Sequence, residues 1–257
     1  MKKIYLIILA IIISSLVLFW FFTGDKESEI QEEILVSSSD SMNERRDEIV
    51  GTEEIKRISK KVTEEIIIPE NIKINVPFTS QAPFGVWDER HEEACEEASL
   101  LMIAKYLSGE KLNPKISEEE IQKMINFQVE KYGDYKDSNM EEVVKLAKDF
   151  YDIKRLEVIY DFEKEKIKEE LARGNPIVVP TAGRLLGNPY FTSPGPLYHN
   201  LVLIGYDGNI IITNDPGTKR GKEYSYDIDI LYNAIHDFTG RKADIEKGRK
   251  AMIIIGL

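Results

Sequence analysis

Apolar residues between positions 95 and 173 recur at the spacing of amphipathic helices. The clearest stripe lies on a helix that ends at Gly109, and its members are Cys95, Ala98, Ser99, Met102, Ile103 and Tyr106. Three further helices are predicted. One opens at Ser117 with a capping-box pattern, one runs over 140–150 behind Asn139, and one covers 162–173.

Alternating or continuous apolar runs dominate the rest of the region after residue 70. The predicted strands cover 72–76, 156–160, 176–180, 199–206, 209–213 and 251–257, with one late helix over 227–238. Asp207-Gly208 is a strong turn signal between the fourth and fifth of these strands, which therefore form a hairpin. Early helices followed by late strands joined through hairpins predict an α+β fold.

A different pattern opens the chain, where an uncharged run from Ile4 to Phe22 follows Lys2 and Lys3. Nineteen residues rise about 28 Å as a helix, enough to cross a bilayer. The run ends in aromatic residues without a small-residue cleavage site, which favours a retained signal anchor over a cleaved signal peptide. The two lysines predict a cytoplasmic N-terminus, so the rest of the chain is expected on the extracytoplasmic side of the cell membrane.

Residues 23–70 are rich in Glu, Ser, Asp and Lys, and their acidic residues outnumber the basic ones. Such a segment buries little apolar surface and is expected to form a flexible stalk. The sequence therefore predicts a transmembrane helix over 1–22, an acidic stalk over 23–70 and a folded domain over 71–257.

The net charge of −11 and the pI near 5.0 argue against a nucleic-acid partner. Cys95 is the only cysteine, so no intrachain disulfide can form. It lies near the start of its predicted helix, where backbone N–H groups and the helix dipole favour a thiolate. Ala98 and Ser99 are small and leave room above the sulfur, as a nucleophile requires. The alternative is an inert buried cysteine.

His199 and Asp215 are expected at the same open end of the predicted hairpin. A carboxylate there can orient an imidazole and stabilise its cation, and the imidazole can activate Cys95. Gln81, on an irregular loop before the cysteine, can supply a side-chain N–H to an oxyanion. Taken singly, His199 also fits an ordinary histidine at a strand start, and Asp215 fits the turn chemistry of Asn-Asp-Pro-Gly.

Four segments in this order resemble the C39-like peptidases. These enzymes have a papain-like fold and are related to the bacteriocin-processing peptidase domain of ABC exporters. The four segments are Val76-Pro77-Phe78-Thr79-Ser80-Gln81, Cys95-Glu96-Glu97-Ala98-Ser99-Leu100-Leu101-Met102, His199-Asn200-Leu201-Val202-Leu203-Ile204-Gly205-Tyr206 and Asn214-Asp215-Pro216. The resemblance covers roughly residues 71–257. It implies a papain-like cysteine peptidase fold, with the cysteine on the helical part and the histidine on an antiparallel β part. It also implies a catalytic set of Cys95 as nucleophile, His199 as general base and acid, Asp215 as orienting acid and Gln81 as oxyanion donor.

Two positions depart from the family pattern, because Glu96 stands where a glycine usually follows the cysteine and Tyr198 where a glycine commonly precedes the histidine. Negative charge beside a thiolate raises the pKa of the cysteine. The side chains of Glu96 and Glu97, at i+1 and i+2, leave the helix in other directions, so their effect is expected to be weak. The acidic groups at 92–93, 96–97 and 118–120 are expected to be solvated charges near helix starts.

The resulting hypothesis is a membrane-anchored, extracytoplasmic cysteine peptidase that acts on a peptide or protein substrate without a cofactor or metal. A zinc site of His91, Cys95 and His199 is a minor alternative, since no fourth ligand stands at a recognisable spacing. His91 is otherwise expected in the loop or first turn beside the site. Two functional alternatives stay open: a catalytically silent surface-binding module, and a cell-wall amidase or acyltransferase using the same Cys-His pair.

Overall fold

The structure is a computed structural model that describes residues 68–256. Within them the helices are α1 (Glu89–Glu92), α2 (Cys95–Ser108), α3 (Pro114–Tyr132), α4 (Met140–Tyr151), α5 (Glu165–Ala172) and α6 (Ile228–Ala234). The strands are β1 (Asn71–Lys73), β2 (Leu156–Tyr160), β3 (Ile177–Ala182), β4 (Tyr198–Asp207), β5 (Ile210–Asn214), β6 (Tyr224–Asp227) and β7 (Ala251–Ile255). Short 3₁₀ helices cover Gly183–Leu186 and Lys242–Lys247. The fold is α+β, as predicted.

All strand pairs are antiparallel, and the strands follow the order β2-β7-β3-β4-β5-β6. The short β1 pairs with the end of β4. The β4–β5 hairpin closes with Asp207 opposite Ile210, around the predicted turn at Asp207-Gly208. From this tight turn the pairing runs to Asn214, the last residue of β5, which lies opposite Val202, so Asp215 continues toward the start of β4.

Strand β4 lies in the middle of the sheet, and nine of its ten residues are buried. Helix α2 packs against it, so the two elements share one hydrophobic core. Core side chains that are almost fully buried include Leu101, Met102, Leu201, Leu203 and Ile253. This packing brings the N-terminus of α2, which carries Cys95, to the strand that carries His199.

A glycine makes room for β1 beside β4. A Cβ atom at Gly205 would lie 2.2 Å from the carbonyl oxygen of Ile72, far inside van der Waals contact. The pairing of β4 with β5 also shifts register between Leu203 and Gly205. Gly205 therefore permits a close approach that any larger side chain would prevent.

The predicted helix and hairpin boundaries are largely confirmed near the candidate site. Helix α2 ends at Ser108, with Gly109 in the left-handed conformation. Asn139 caps α4 in a capping box with Glu142, as its position before Met140 suggests. Strand β2 covers the predicted residues.

Four elements show the clearest differences from the prediction. Helix α3 begins at Pro114, not at Ser117, because Asn113 Oδ1 accepts a hydrogen bond from the Ile116 N–H and proline suits the first helical position. Strand β1 is shorter than the predicted 72–76. The late helix ends at Ala234, because Ile235 is extended and bridges to Thr181. Strand β6 was not predicted from the sequence.

Within residues 68–256 no helix is long and apolar enough to cross a membrane. The predicted membrane segment over 4–22 and nearly all of the stalk over 23–70 lie outside the described residues. The anchor and the stalk therefore stay predictions, as does the domain boundary at residue 71.

Candidate active site

The predicted nucleophile opens helix α2. Cys95 is its first residue, and Ala94 precedes it without a side-chain cap, so the first backbone N–H groups of the helix are open to other partners. Cys95 is 6% exposed and lines a cavity of about 300 Å³. Gln81 and His199 line the same cavity, which brings three of the four predicted site residues together.

The hairpin brings His199 and Asp215 into direct contact. His199 is the second residue of β4, Asp215 follows the last residue of β5, and Nε2 of the imidazole lies 2.8 Å from Oδ1 of the carboxylate. Both side chains are buried. The contact agrees with the prediction that the two residues share one end of the hairpin.

Asp215 receives several hydrogen bonds besides that of His199. The Gly217 N–H donates to Oδ1 at 2.9 Å, while the Tyr226 hydroxyl at 2.7 Å and the Asn188 amide at 3.2 Å donate to Oδ2. Burial alone would raise the pKa of Asp215. The charge and hydrogen bond of His199, with these donors, outweigh it and hold that pKa below its usual range.

An ionised Asp215 can only accept hydrogen bonds, so the proton of the His199–Asp215 contact belongs to Nε2. In a neutral imidazole, Nδ1 is then the nitrogen with the free lone pair. Asp215 thus sets the tautomer in which His199 could act as a base. The Gly217 N–H bond shows that the Asn-Asp-Pro-Gly segment also makes the turn contact considered as the alternative.

The imidazole is held from its other sides as well. The Phe191 ring packs edge-on against it, with ring centroids 5.3 Å apart. Gly217 lies so close that a Cβ atom there would be 2.8 Å from Cε1 of His199. Little freedom remains for His199 to rotate away from Asp215.

Sequence reasoning missed Tyr226 and Asn188. Tyr226 lies on β6, which the pattern did not predict, and Asn188 lies in the loop after β3. Their hydrogen bonds to Asp215 and to each other are contacts between distant parts of the chain. No local spacing could have identified either residue.

The Cys95 sulfur contacts a carboxyl group. Sγ donates to Oε2 of Glu96 at 3.0 Å, and the Asn200 amide lies 3.9 Å from Sγ. Among residues 68–256, no hydrogen bond joins Sγ to His199. Burial, followed by the charge of Glu96, raises the pKa of the Cys95 thiol well above its usual range. The expectation that His199 and the helix start together make Cys95 a thiolate near neutral pH does not agree with this environment.

Glu96 and Glu97 are buried rather than solvated, with exposures of 2% and 0%. Glu96 Oε1 accepts a hydrogen bond from the Ser138 N–H at 3.2 Å, and Glu97 Oε1 accepts one from the Gln128 amide. Burial raises the pKa of Glu96 well above its usual range and that of Glu97 to about 7. The expectation of solvated charges is wrong here because α2 is covered along this side by α3 and the segment before α4.

The other acidic groups are closer to expectation. Glu92 is exposed, and Glu93 forms an ion pair of 2.9 Å with Lys242, which also contacts Asp137. Glu118 instead pairs with His91. Among the acidic groups expected at helix starts within residues 68–256, the pair at 96–97 is the one that is buried from solvent.

Gln81 is buried at the cavity, but its amide is already engaged. Nε2 donates to the carbonyl oxygens of His91 at 2.7 Å and Glu92 at 3.2 Å. Oε1 has no hydrogen-bond partner among the described residues. The position of Gln81 fits an oxyanion donor, and that role stays a prediction.

His91 lies in α1, beside the loop that was expected to hold it. It is buried between two carboxylates, with Nδ1 2.7 Å from Asp88 and Nε2 2.9 Å from Glu118. Within residues 68–256, no group of three or more His, Cys, Asp or Glu side chains could hold a metal ion. The zinc alternative has no support from these contacts.

The comparisons with known proteins agree with the resemblance. Residues 73–241, more than half of the chain, match the model of the Peptidase_C39 like family. The chain belongs to this family. All four predicted site residues of this C39-like chain lie within the matched range. No curated protein matches it.

Seventeen chains among the solved structures match the C39-like chain, including the following two. A Bacillus anthracis chain described as a C39-like peptidase is 17% identical, with 74% of this chain and 99% of that chain covered and a TM-score of 0.49. The peptidase domain of Streptococcus ComA, a bi-functional ABC transporter involved in a quorum-sensing pathway, is 14% identical. It covers 71% of this chain and 100% of its own length, with a TM-score of 0.36.

Proposed function

We propose that this protein is a membrane-anchored, extracytoplasmic cysteine peptidase that hydrolyses peptide bonds. One observation carries the proposal: Cys95 and His199 line one cavity, and the His199 imidazole is held by the buried carboxylate of Asp215. Membership of the Peptidase_C39 like family supports the peptidase part of the proposal. The substrate is accordingly a peptide or protein.

The first half-reaction begins from a neutral thiol, because burial and Glu96 disfavour the free thiolate. Nδ1 of His199 removes the thiol proton as Sγ attacks the carbonyl carbon of the scissile bond. The resulting oxyanion is stabilised by the N–H groups at the start of α2, and by the Gln81 amide once it turns from the carbonyl oxygens of His91 and Glu92. His199 then gives its proton to the leaving amine, which departs and leaves a thioester on Cys95.

In the second half-reaction, water replaces the amine. His199 removes a proton from the water, whose oxygen attacks the thioester carbon. Collapse of the second oxyanion expels the Cys95 sulfur, which regains its proton from His199. Asp215 keeps Nε2 protonated throughout and stabilises each imidazolium state.

The proposed location rests on the uncharged run over 4–22 and the lysines before it. Protease added to intact cells that lack an outer barrier should remove the domain if it lies outside. Complete protection of the domain under those conditions would contradict the proposed orientation.

One observation favours a second candidate, a catalytically silent binding module. The Cys95 thiol hydrogen-bonds Glu96 and not His199, and its environment raises the thiol pKa. A peptidase and a silent module of this fold differ in whether the sulfur forms a covalent intermediate.

An active-site thiol probe applied to the full chain in detergent separates the two candidates. A peptidase should label at Cys95 and hydrolyse a peptide library, and Cys95→Ala and His199→Ala should abolish hydrolysis. A parallel assay on peptidoglycan distinguishes peptide hydrolysis from a cell-wall amidase or acyltransferase. Absence of turnover on every substrate, with a folded wild-type protein, would favour the binding module.

A further inference from the structure

A carboxyl group lies against the candidate nucleophile. Glu96 Oε2 is 3.0 Å from Cys95 Sγ, and its other oxygen accepts the Ser138 N–H. Glu96 is almost fully buried, with 2% exposure. The steps proposed above for peptide hydrolysis do not use this side chain.

The surroundings of Glu96 supply little positive charge. Among the described residues, neither Glu96 nor Glu97 forms an ion pair, and Lys242 is engaged by Glu93 and Asp137. An unpaired buried carboxylate is costly, so the neutral acid is favoured. The titratable and charged groups around the Cys95–Glu96 pair are Glu97 on α2, Glu93 before it, Asp137 before α4, Tyr198 and His199 on β4, and Lys242.

Two negative charges 3.0 Å apart in this setting would repel each other strongly. Loss of one proton from the pair therefore produces either a thiolate beside a carboxylic acid or a thiol beside a carboxylate. Only the first arrangement is nucleophilic. The Glu96 carboxyl can accept a hydrogen bond from the S–H group of the thiol, or donate a hydrogen bond from its own O–H to the thiolate.

We propose that Glu96 is a positioning residue of Cys95, which holds the sulfur by a hydrogen bond and competes with it for a single negative charge. This inference rests on the proposed role of Cys95 as the nucleophile. In the resting protein both groups are neutral. Because a carboxylic acid is a stronger acid than a thiol, Glu96 loses its proton first as pH rises, and its charge then keeps the thiol protonated. When His199 takes the thiol proton, the neutral Glu96 acid turns its O–H toward the sulfur.

The test is the pH dependence of alkylation by iodoacetamide, measured at Cys95 by mass spectrometry on the full chain. Glu96→Gln keeps the shape of the side chain and a hydrogen-bond donor, but it cannot take a negative charge. The alkylation midpoint should fall by about 1–3 pH units, the usual effect of a close charge. Each unit corresponds to about tenfold more thiolate below the midpoint.

Glu97→Gln is the matched control. It makes the same chemical change at the next buried residue, whose carboxyl contacts Gln128 and not the sulfur. Its midpoint should shift much less than that of Glu96→Gln. Thermal unfolding shows whether each variant is folded. If Glu96→Gln does not fold, Glu96→Asp is tested in its place. This variant withdraws the carboxyl group by one methylene, so the midpoint should fall by a smaller amount.

An unchanged or raised midpoint in Glu96→Gln would overturn the proposal, because the carboxyl would not oppose the thiolate. A shift of equal size in Glu97→Gln would also overturn it, since general burial of charge would then explain the effect. Alkylation requires no turnover. A lowered midpoint without peptide hydrolysis would therefore disprove the peptidase while leaving the Glu96 contact intact.

Discussion

The orientation of His199 depends on a carboxylate that accepts four hydrogen bonds. The Asp215 carboxylate accepts hydrogen bonds from Nε2 of His199, the Gly217 N–H, the Tyr226 hydroxyl and the Asn188 amide. The first two bond Oδ1 and the last two bond Oδ2, so both oxygens are fixed. At the scale of single residues, the candidate site is therefore more extensive than a Cys-His-Asp set.

Substitution of Asp215 and of Tyr226 should have effects of different size. Asp215→Asn removes the charge that sets the tautomer of His199, so kcat should fall by roughly 10²–10⁴-fold with a smaller change in KM. Tyr226→Phe removes one of the four donors, worth about 1.5–3 kcal/mol to a charged acceptor, and should lower kcat about tenfold or somewhat more. Steady-state kinetics on a cleaved peptide measures both. Equal losses in the two variants would contradict a distinct role for the carboxylate charge.

Gln81→Ala tests the oxyanion role. Loss of one oxyanion donor should lower kcat by about 10²–10³-fold while alkylation of Cys95 by iodoacetamide stays nearly unchanged. The alternative is that Gln81 only secures α1, through the carbonyl oxygens of His91 and Glu92. In that case alkylation and thermal stability should change together with turnover.

At the scale of secondary-structure elements, His91 joins α1 to α3. Its imidazole contacts Asp88 at the N-cap of α1 and Glu118 on α3. Burial lowers the pKa of His91, but the hydrogen bonds and charges of Glu118 and Asp88 outweigh it, and the pKa is raised above the reference value of 6.5. The contribution of the His91 ion pairs to the free energy of unfolding is therefore fully present below about pH 6.5. It is lost as pH rises through the folded-state pKa of His91.

We expect His91→Gln to destabilise the protein more at pH 5.5 than at pH 8.5, measured as the difference in Tm from wild type at each pH. His236→Gln is the control, because His236 Nδ1 contacts the carbonyl oxygen of Gly248 rather than a carboxylate. A loss in His91→Gln that is independent of pH would contradict an ion pair. The Gln81 amide is held by the carbonyl oxygens of His91 and Glu92. Loss of the His91 ion pairs should therefore also change turnover.

At the scale of the whole molecule, β1 and the residues before it secure the end of β4. The Tyr206 hydroxyl donates to the Pro69 carbonyl at 2.9 Å, and the Gly208 N–H donates to the Glu70 carbonyl at 3.1 Å. Strand β1 adds three residue pairs with β4. Pro69 and Glu70 therefore contact the sheet although they precede the predicted boundary at 71, which stays a prediction.

A chain shortened to begin at Ile68 should keep the stability and activity of the full chain. A chain that begins at Ile74 lacks β1 and both carbonyl acceptors, and it should lose about 2–4 kcal/mol, since each net hydrogen bond contributes roughly 1 kcal/mol. Chemical denaturation of the two shortened chains measures the difference. A large loss in the chain that begins at Ile68 would show that the preceding segment packs on the domain and is not a simple stalk.

The sequence by itself determined the features that depend on neighbouring residues. The apolar stripe and Gly109 predicted the helix that begins at the lone cysteine, and Asp207-Gly208 predicted the hairpin that joins His199 to Asp215. Turn residues and helix periodicity depend on residues that are close together in the sequence, so a single sequence is enough to predict these elements. The order of the motifs then predicted the family to which the chain belongs.

Only the tertiary structure decided which groups surround these residues. Glu96 and Glu97 resemble solvated helix-start charges in the sequence, yet α3 and the segment before α4 cover them. Tyr226 and Asn188 reach Asp215 from separate strands and loops, with no spacing that relates them to it. Burial and hydrogen bonding between distant segments follow from how the elements pack. Burial is the largest influence on the pKa of Cys95 and of Glu96, while hydrogen bonds and the charge of His199 outweigh it at Asp215.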